Sequence, residues 1–228
     1  MISIRRSAER GQVNMGWLDS RHTFSFGSYY DPRFMGFGPL RVINEDRVTP
    51  GAGFPPHGHR DMEIISYVVE GALAHKDSTG SGGVIRPGEV QVMSAGRGIR
   101  HSEMNGSQKE PVHFMQIWIQ PEKIGTKPGY ADHDFGQAEG LTLLVSPEGR
   151  EGSLTIGQDV DLYRGLLEAD GSAHLDIRRN RAWVQVVKGS VTVNGELLRI
   201  GDGAAITETE ALDLTTQGGA EVLVFDMA

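Results

Sequence analysis

The stretch PGAGFPPHGHRDMEIISYVVEGALAHKD, residues 50–77, sets two histidines, His57 and His59, one residue apart at the mouth of an apolar run, with Glu63 four residues further on. The run Ile64–Val69 is short, rich in β-branched residues and closed by Gly71, which is how a buried strand reads. Residues two apart in an extended chain point the same way. His57 and His59 therefore share a face, and an unbroken strand would bring Glu63 onto it. Downstream, GRGIRHSEMN (96–105) repeats the arrangement with His101 and Glu103. Two same-face pairs on two β segments supply three imidazoles and a carboxylate. That donor set holds nitrogen and oxygen but no sulfur, and it suits one divalent ion among Fe, Mn, Co, Ni, Cu and Zn.

The rest of the chain supplies the scaffold such a site needs. Glycine occurs 31 times in 228 residues, about twice its usual share of ~7%, and much of it sits in turn-like settings such as RPGE, VNGE and IGDG. Between these lie short segments rich in Val, Ile, Leu and aromatics, among them HFMQIWIQ and AEVLVFDM. SVTVNGELLRI (190–200) reads as a tight hairpin turning on Asn194-Gly195. No long amphipathic helix is present in the pattern, so the fold class is all-β, a sandwich or barrel. The pattern also occurs twice. YVVEG (67–71) is echoed by QVVKG (185–189), and IRPGE (85–89) by RIGDG (199–203). Two copies of one β-unit account for the length, with a boundary in the Gly- and Pro-rich segment QPEKIGTKPGYADHDFG (120–136). The expected division is a metal-binding barrel over 1–125, a linker over 126–138 and a second barrel over 139–228.

Several function classes fall away on composition. A formal charge of −8 opposes general nucleic-acid binding, which needs a concentrated positive face. Cysteine is absent, which removes disulfides, thiolate metal sites and thiol nucleophiles. No apolar run approaches the roughly 18 residues of a membrane span. MISIRRSAERGQVNMGW carries early arginines with no apolar segment behind them, so no signal peptide is expected and a cytoplasmic location is.

His-x-His in a loop is more often a solvated turn than a ligand pair, but the full spacing here resembles something specific. Gly51-x5-His57-x-His59-x3-Glu63 is similar to the first signature of the cupin barrels, and Gly96-x-Gly98-x2-His101-x3-Asn105 to the second, with Gly96 where proline is usual. The interval from Glu63 to Gly71 is one residue longer than the common pattern. GWLDSRHTFSFGSYYDP (16–32), residues 35–80 and QVMSAGRGIRHSEMN (91–105) further resemble the pirin family, closely over roughly the first 120 residues and more loosely beyond. That resemblance implies a bicupin of two jelly-roll-like β-barrels, with a metal, iron foremost, in the first barrel only. Its ligands would be His57, His59, His101 and Glu103. It implies quercetin 2,3-dioxygenase activity on a small aromatic substrate with O2, releasing carbon monoxide. Glu103 or Glu63 would be the base that takes the 3-hydroxyl proton. It also implies a competing reading, a metal-sensing regulatory protein that docks a protein partner, as eukaryotic members do.

In the second half, counting back from Gly189 and on from Gly201 by the offsets of the first half lands on Leu175, Ile177, Arg181 and Leu214, none of which is a ligand type. The remaining histidines are expected to serve structure. His22 lies beside Phe24 and Phe26 in a core or pocket wall. His113 follows the strand period of Met115 and Ile117 and reads as a hydrogen-bonded core histidine. His75, His133 and His174 read as surface or turn residues.

Overall fold

The computed structural model describes residues 1–228. Strands dominate, with two single 3-10 turns at Ser7–Glu9 and Arg150–Gly152 and no α-helix. No helix is therefore long and apolar enough to cross a membrane. In chain order the strands are β1 (Ile2–Arg5), β2 (Gly11–Asn14), β3 (Leu18–His22), β4 (Leu40–Val48), β5 (Gly53–His59), β6 (Glu63–Glu70), β7 (Leu73–Asp77), β8 (Gly82–Ile85), β9 (Glu89–Ser94), β10 (Ile99–Asn105) and β11 (Val112–Ile119). There follow β12 (Gly129–Asp134), β13 (Gly140–Ser146), β14 (Leu154–Thr155), β15 (Val160–Leu167), β16 (Ser172–Asp176), β17 (Arg181–Val193), β18 (Glu196–Arg199), β19 (Gly203–Thr207), β20 (Ala211–Thr215) and β21 (Ala220–Met227).

The chain forms two compact units. One comprises Gly11–Gly136 with Ile156–Gln158, the other Met1–Arg10, Gln137–Thr155 and Asp159–Ala228. These differ from the expected division at the linker, at residues 1–10 and at Ile156–Gln158, which belongs with the first barrel. The segment expected as a linker contains β12, which pairs along β9 from Gly129 opposite Ser94 to Asp134 opposite Glu89. The outer edge of β9 carries backbone N–H and C=O groups that need partners, and β12 supplies them. Residues 1–10 belong to the second unit because β1 pairs with β19, Ile2 opposite Ile206 and Arg5 opposite Gly203.

In the first unit a seven-stranded sheet runs β12-β9-β6-β11-β4-β3-β2 and a four-stranded sheet runs β5-β10-β7-β8. Leu18, Val48, Val68, Val112 and Phe114 of the larger sheet pack with Leu73 and Ile85 of the smaller one. An apolar core thus joins the two sheets, as in a jelly roll. In the second unit a ten-stranded sheet follows β1-β19-β17-β21-β15-β13-β14, with β16, β18 and β20 attached beside it. The hairpin turn falls at Asn194-Gly195, both at positive φ, between paired Val193 and Glu196. That is the conformation a two-residue turn demands. Leu175 and Leu214, where counting had placed the counterparts of His57 and His101, are buried in an apolar cluster with Leu212, Val191 and Val193.

Candidate metal centre

Three strands of the smaller sheet carry the site. His57 on β5 lies opposite His101 on β10, and His101 lies opposite Asp77 on β7. Glu103 lies opposite Phe54 on one side and His75 on the other. The register of β5 against β10 shifts between His101 and Glu103, where Pro55 and Pro56 oppose the single residue Ser102. Proline has no N–H to give a ladder, so it fits a bulge on the edge strand, and the bulge re-aims the histidines that follow. The close approach at the other end of β5 requires Gly53. A Cβ there would overlap the Glu103 carbonyl oxygen and the Met104 Cα. Gly53→Ala is expected to prise β5 from β10 and weaken metal binding by at least about tenfold, read by isothermal titration. Unchanged affinity would show that the strand spacing is slack.

His57, His59 and His101 bring one ring nitrogen each to within 4.8 Å of one another, with ring centroids 4.5–4.8 Å apart. His57 Nδ1 donates to the Pro55 carbonyl oxygen at 2.9 Å. A carbonyl only accepts, so the His57 proton is on Nδ1 and its Nε2 lone pair faces His101 Nε2, 3.1 Å away. Nitrogens ligating one ion from about 2.1 Å each stand about 3 Å apart when at right angles, so the spacing fits a shared cation. Burial, with the charge of His57 second, lowers the His59 pKa to about 4. Burial, and then His57, His59 and His75, lower that of His101 to about 3. Both rings are neutral at pH 7 with lone pairs to give.

Glu103 borders the cluster from the interior. Its Oε2 lies 3.9 Å from His101 Nε2. Ser66 Oγ donates to Oε1 at 3.0 Å and Gln116 Nε2 to Oε2 at 2.6 Å. Burial pushes the Glu103 carboxyl up, against the pull of those two hydrogen bonds. Glu63 is not brought to the cluster. The chain breaks after β5 at Asp61, which has a φ of 48°, and re-enters the other sheet as β6. Strand alternation then puts Glu63 on the face opposite to Ser66. Ser94 Oγ donates to its Oε2 at 2.7 Å. Burial raises its pKa against hydrogen bonds from Ser94 and the Gly157 backbone.

The larger sheet contributes a polar row that sequence reading missed. Gln91, Ser66, Gln116, Asn44 and His22 stand in register across β9, β6, β11, β4 and β3. Gln91 bonds His75, while Ser66 and Gln116 bond Glu103. Asp46, two residues from Asn44 on β4, accepts from Ser20 Oγ. Its carboxyl is pushed up to about 7 by burial, against the Ser20 bond and with help from Glu103 and Glu45. A cavity of about 60 Å³ is lined by Phe26, Asn44, Asp46, Phe54, His57, His59, Glu103, Gln116 and Trp118. It shares Phe26 and Trp118, packed edge to face at 5.2 Å, with an outer chamber of about 290 Å³ bounded by Tyr29, Tyr30, Met35, Arg41 and Met62. Of the other histidines, His113 is a core residue bonded to Glu45 Oε1 at 3.1 Å, and His22 is buried edge-on to Phe26. His174 is exposed. His75 is not the expected surface or turn residue. Its side chain is fully buried, because β7 alternation turns it inward with Leu73 and Asp77.

The Pirin family profile matches residues 3–119 and that of the quercetinase C-terminal cupin domain residues 143–227. The chain belongs to the pirin family. This pirin is 50% identical over its full length to quercetin 2,3-dioxygenase of Escherichia coli strain K12, of which it covers 99%. It is 42% identical, with both chains fully covered, to a putative quercetin 2,3-dioxygenase of Pasteurella multocida. The crystal structure of the bacterial pirin YhhW from E. coli in complex with nickel(II) superposes with a TM-score of 0.95 at 49% identity, covering 100% of this chain and 99% of that one.

Proposed function

We propose that this pirin is a metal-dependent dioxygenase of the quercetin 2,3-dioxygenase type, acting in the cytoplasm, with a flavonol and O2 as substrates and carbon monoxide as one product. The observation that carries the reading is the convergence of the His57, His59 and His101 imidazoles beside a small cavity that His57, His59 and Glu103 line together with Phe26, Phe54 and Trp118. His57, His59, His101 and Glu103 are the residues we assign to hold the ion, iron first among the candidates. When bound, a redox-capable divalent ion supplies an electron path between an enolate and O2 that protein side chains lack.

The chain's own groups do the rest. The aromatic walls exclude water and accept a flat ring system face-on or edge-on. Asn44 Oδ1 and Trp118 Nε1 are buried at the cavity wall with no partner in the protein, an acceptor and a donor placed for a polyhydroxylated ligand. Glu103, whose carboxylate lines the cavity, is the base we assign to the 3-hydroxyl proton. Asp46, titrating near neutrality, can donate to or accept from a neighbouring hydroxyl. The 60 Å³ cavity is too small for a three-ring flavonol, so the pendant ring extends past Phe26 and Trp118 into the outer chamber.

The test is turnover of quercetin by protein loaded separately with Fe, Mn, Co, Ni and Cu, following flavonol absorbance and released carbon monoxide. Glu103→Gln is expected to lose turnover, while Glu63→Gln retains both metal and turnover. Stoichiometric metal binding without turnover by any ion would sink the enzyme reading and favour a metal-sensing protein with a protein partner. Met35→Trp, which fills the outer chamber, is expected to raise KM for quercetin by about tenfold or more with metal content unchanged. An unaltered KM would place the pendant ring elsewhere.

A further inference from the structure

His75 and Asp77 face inward from β7, opposite Glu103 and His101 of β10. The side chains of both are fully buried, and the His75 ring stacks on Tyr130 of β12 at 4.7 Å and 19°. His101 Nδ1 stands 3.3 Å from His75 Nδ1, and His75 Nε2 stands 3.1 Å from Asp77 Oδ2. The other carboxylate oxygen of Asp77 accepts from the Thr79 N–H at 2.8 Å, the Thr79 hydroxyl at 2.6 Å and the Ser81 N–H at 3.1 Å.

These contacts fix where the protons are. An ionised carboxylate only accepts, so His75 Nε2 carries a proton and donates it to Asp77. A neutral imidazole protonated at Nε2 has its lone pair on Nδ1. The Gln91 amide lies beside that same Nδ1, its Nε2 at 3.4 Å. His101 must therefore approach His75 with a proton on Nδ1, and its own Nε2 lone pair is left facing His57 Nε2.

We propose that Asp77 and His75 form a positioning pair that locks His101 in the Nδ1–H tautomer, presenting Nε2 as a metal ligand. This rests on the metal reading above. A ligating histidine whose second nitrogen lacks an acceptor divides between tautomers and ring orientations, and only one of them can ligate. The bland account of His75, a satisfied core histidine that merely fills space, makes a different prediction: any residue of similar shape would serve.

The experiment compares wild type with His75→Gln, His75→Phe and Asp77→Asn, using Zn(II) as the diamagnetic probe. Glutamine offers an amide oxygen as acceptor, phenylalanine keeps the stack on Tyr130 without an acceptor, and asparagine keeps the volume of Asp77. The readouts are Zn(II) affinity by chelator competition and long-range 1H–15N spectra of the imidazoles. His75→Phe is expected to weaken Zn(II) binding by about 10–100-fold and to remove the His101 Nδ1–H resonance. Asp77→Asn should weaken it in the same direction, and His75→Gln should stay within roughly threefold of wild type and keep the resonance. Equal losses in His75→Gln and His75→Phe would overturn the proposal in favour of packing. Unchanged affinity and tautomer in Asp77→Asn would also overturn it, and that variant decides the matter if His75→Phe does not fold. Wild type that binds no Zn(II) would overturn this and the metal reading together.

Discussion

Replacing His101 with alanine is expected to lower metal affinity by more than about 100-fold, the upper range for loss of an outer-shell partner, and to abolish turnover. His101 is the most buried of the three histidines and sits at the centre of the site. Its Nε2 faces His57 at 3.1 Å and Glu103 at 3.9 Å, while Nδ1 faces His75. Removing it deletes one assigned ligand, leaves His75 Nδ1 only the long 3.4 Å contact to Gln91 and opens a void between the sheets, so no neighbour can substitute. The measurement is metal content after dialysis against a weak chelator, with thermal unfolding alongside. Full metal content in a folded His101→Ala protein would remove His101 from the ligand set. Loss of metal without loss of fold is the expected outcome.

The largest effect on stability is expected far from that chemistry, at Asp161 in the second unit. Its side chain is fully buried, and Arg150 grips it through two bonds of 2.6 and 2.7 Å while Arg179 adds a third at 2.7 Å. Asp161→Ala leaves both guanidinium groups without their shared counter-charge. Breaking a buried pair from one side costs about 3–5 kcal/mol. Denaturant unfolding followed through Trp183, in the same unit, would read it, and a loss below about 1 kcal/mol would mean that water reaches these charges. The pH dependence has a definite sign. Burial pushes the Asp161 carboxyl up, but hydrogen bonds from Arg150 and Arg179 outweigh it and hold its pKa below the ordinary carboxylate value of 3.8. Its contribution is therefore present above about pH 4 and is lost as pH falls through the depressed folded value. Asp161→Asn should be less stable than wild type at pH 7, with the difference narrowing in acid.

The clustering of His57, His59 and His101 was legible because metal chemistry leaves a compact mark in sequence: His57-x-His59 and His101-x-Glu103 each need only strand alternation to share a face. The all-β class was legible from glycine turns and short apolar runs, and the Asn194-Gly195 turn from its residue types alone. Glu63 misled because alternation holds only while a strand continues, and the left-handed residue Asp61 ends it. The polar row escaped for a different reason. Gln91, Ser66 and Gln116 each stand between mostly apolar neighbours, and Asn44 follows Val42 and Ile43 at the edge of a charged run, so each alone is ordinary. They gain meaning only through a register that couples residues far apart in the chain. A lone polar residue in the middle of a strand with neighbours on both sides was the available signal, since burial obliges it to find a partner. His75 escaped for the same reason, its partners lying on β10 and β9. The domain boundaries escaped because Gly and Pro mark turns whether or not the chain leaves the barrel, so a segment with linker composition could still add β12 to a sheet.

The pairing of β1 with β19 imposes an order on synthesis. Ile2–Arg5 leaves the ribosome long before the strand it joins, which begins at Gly203. The sheets of the first unit, by contrast, draw all their strands from Gly11–Asp134 and can close while the remainder is still being made. Until Gly203–Thr207 emerges, the first strand trails from a completed barrel with its backbone groups unpaired. A nascent chain stalled before that point would display a loose N-terminal strand, open to proteases and to pairing with another chain.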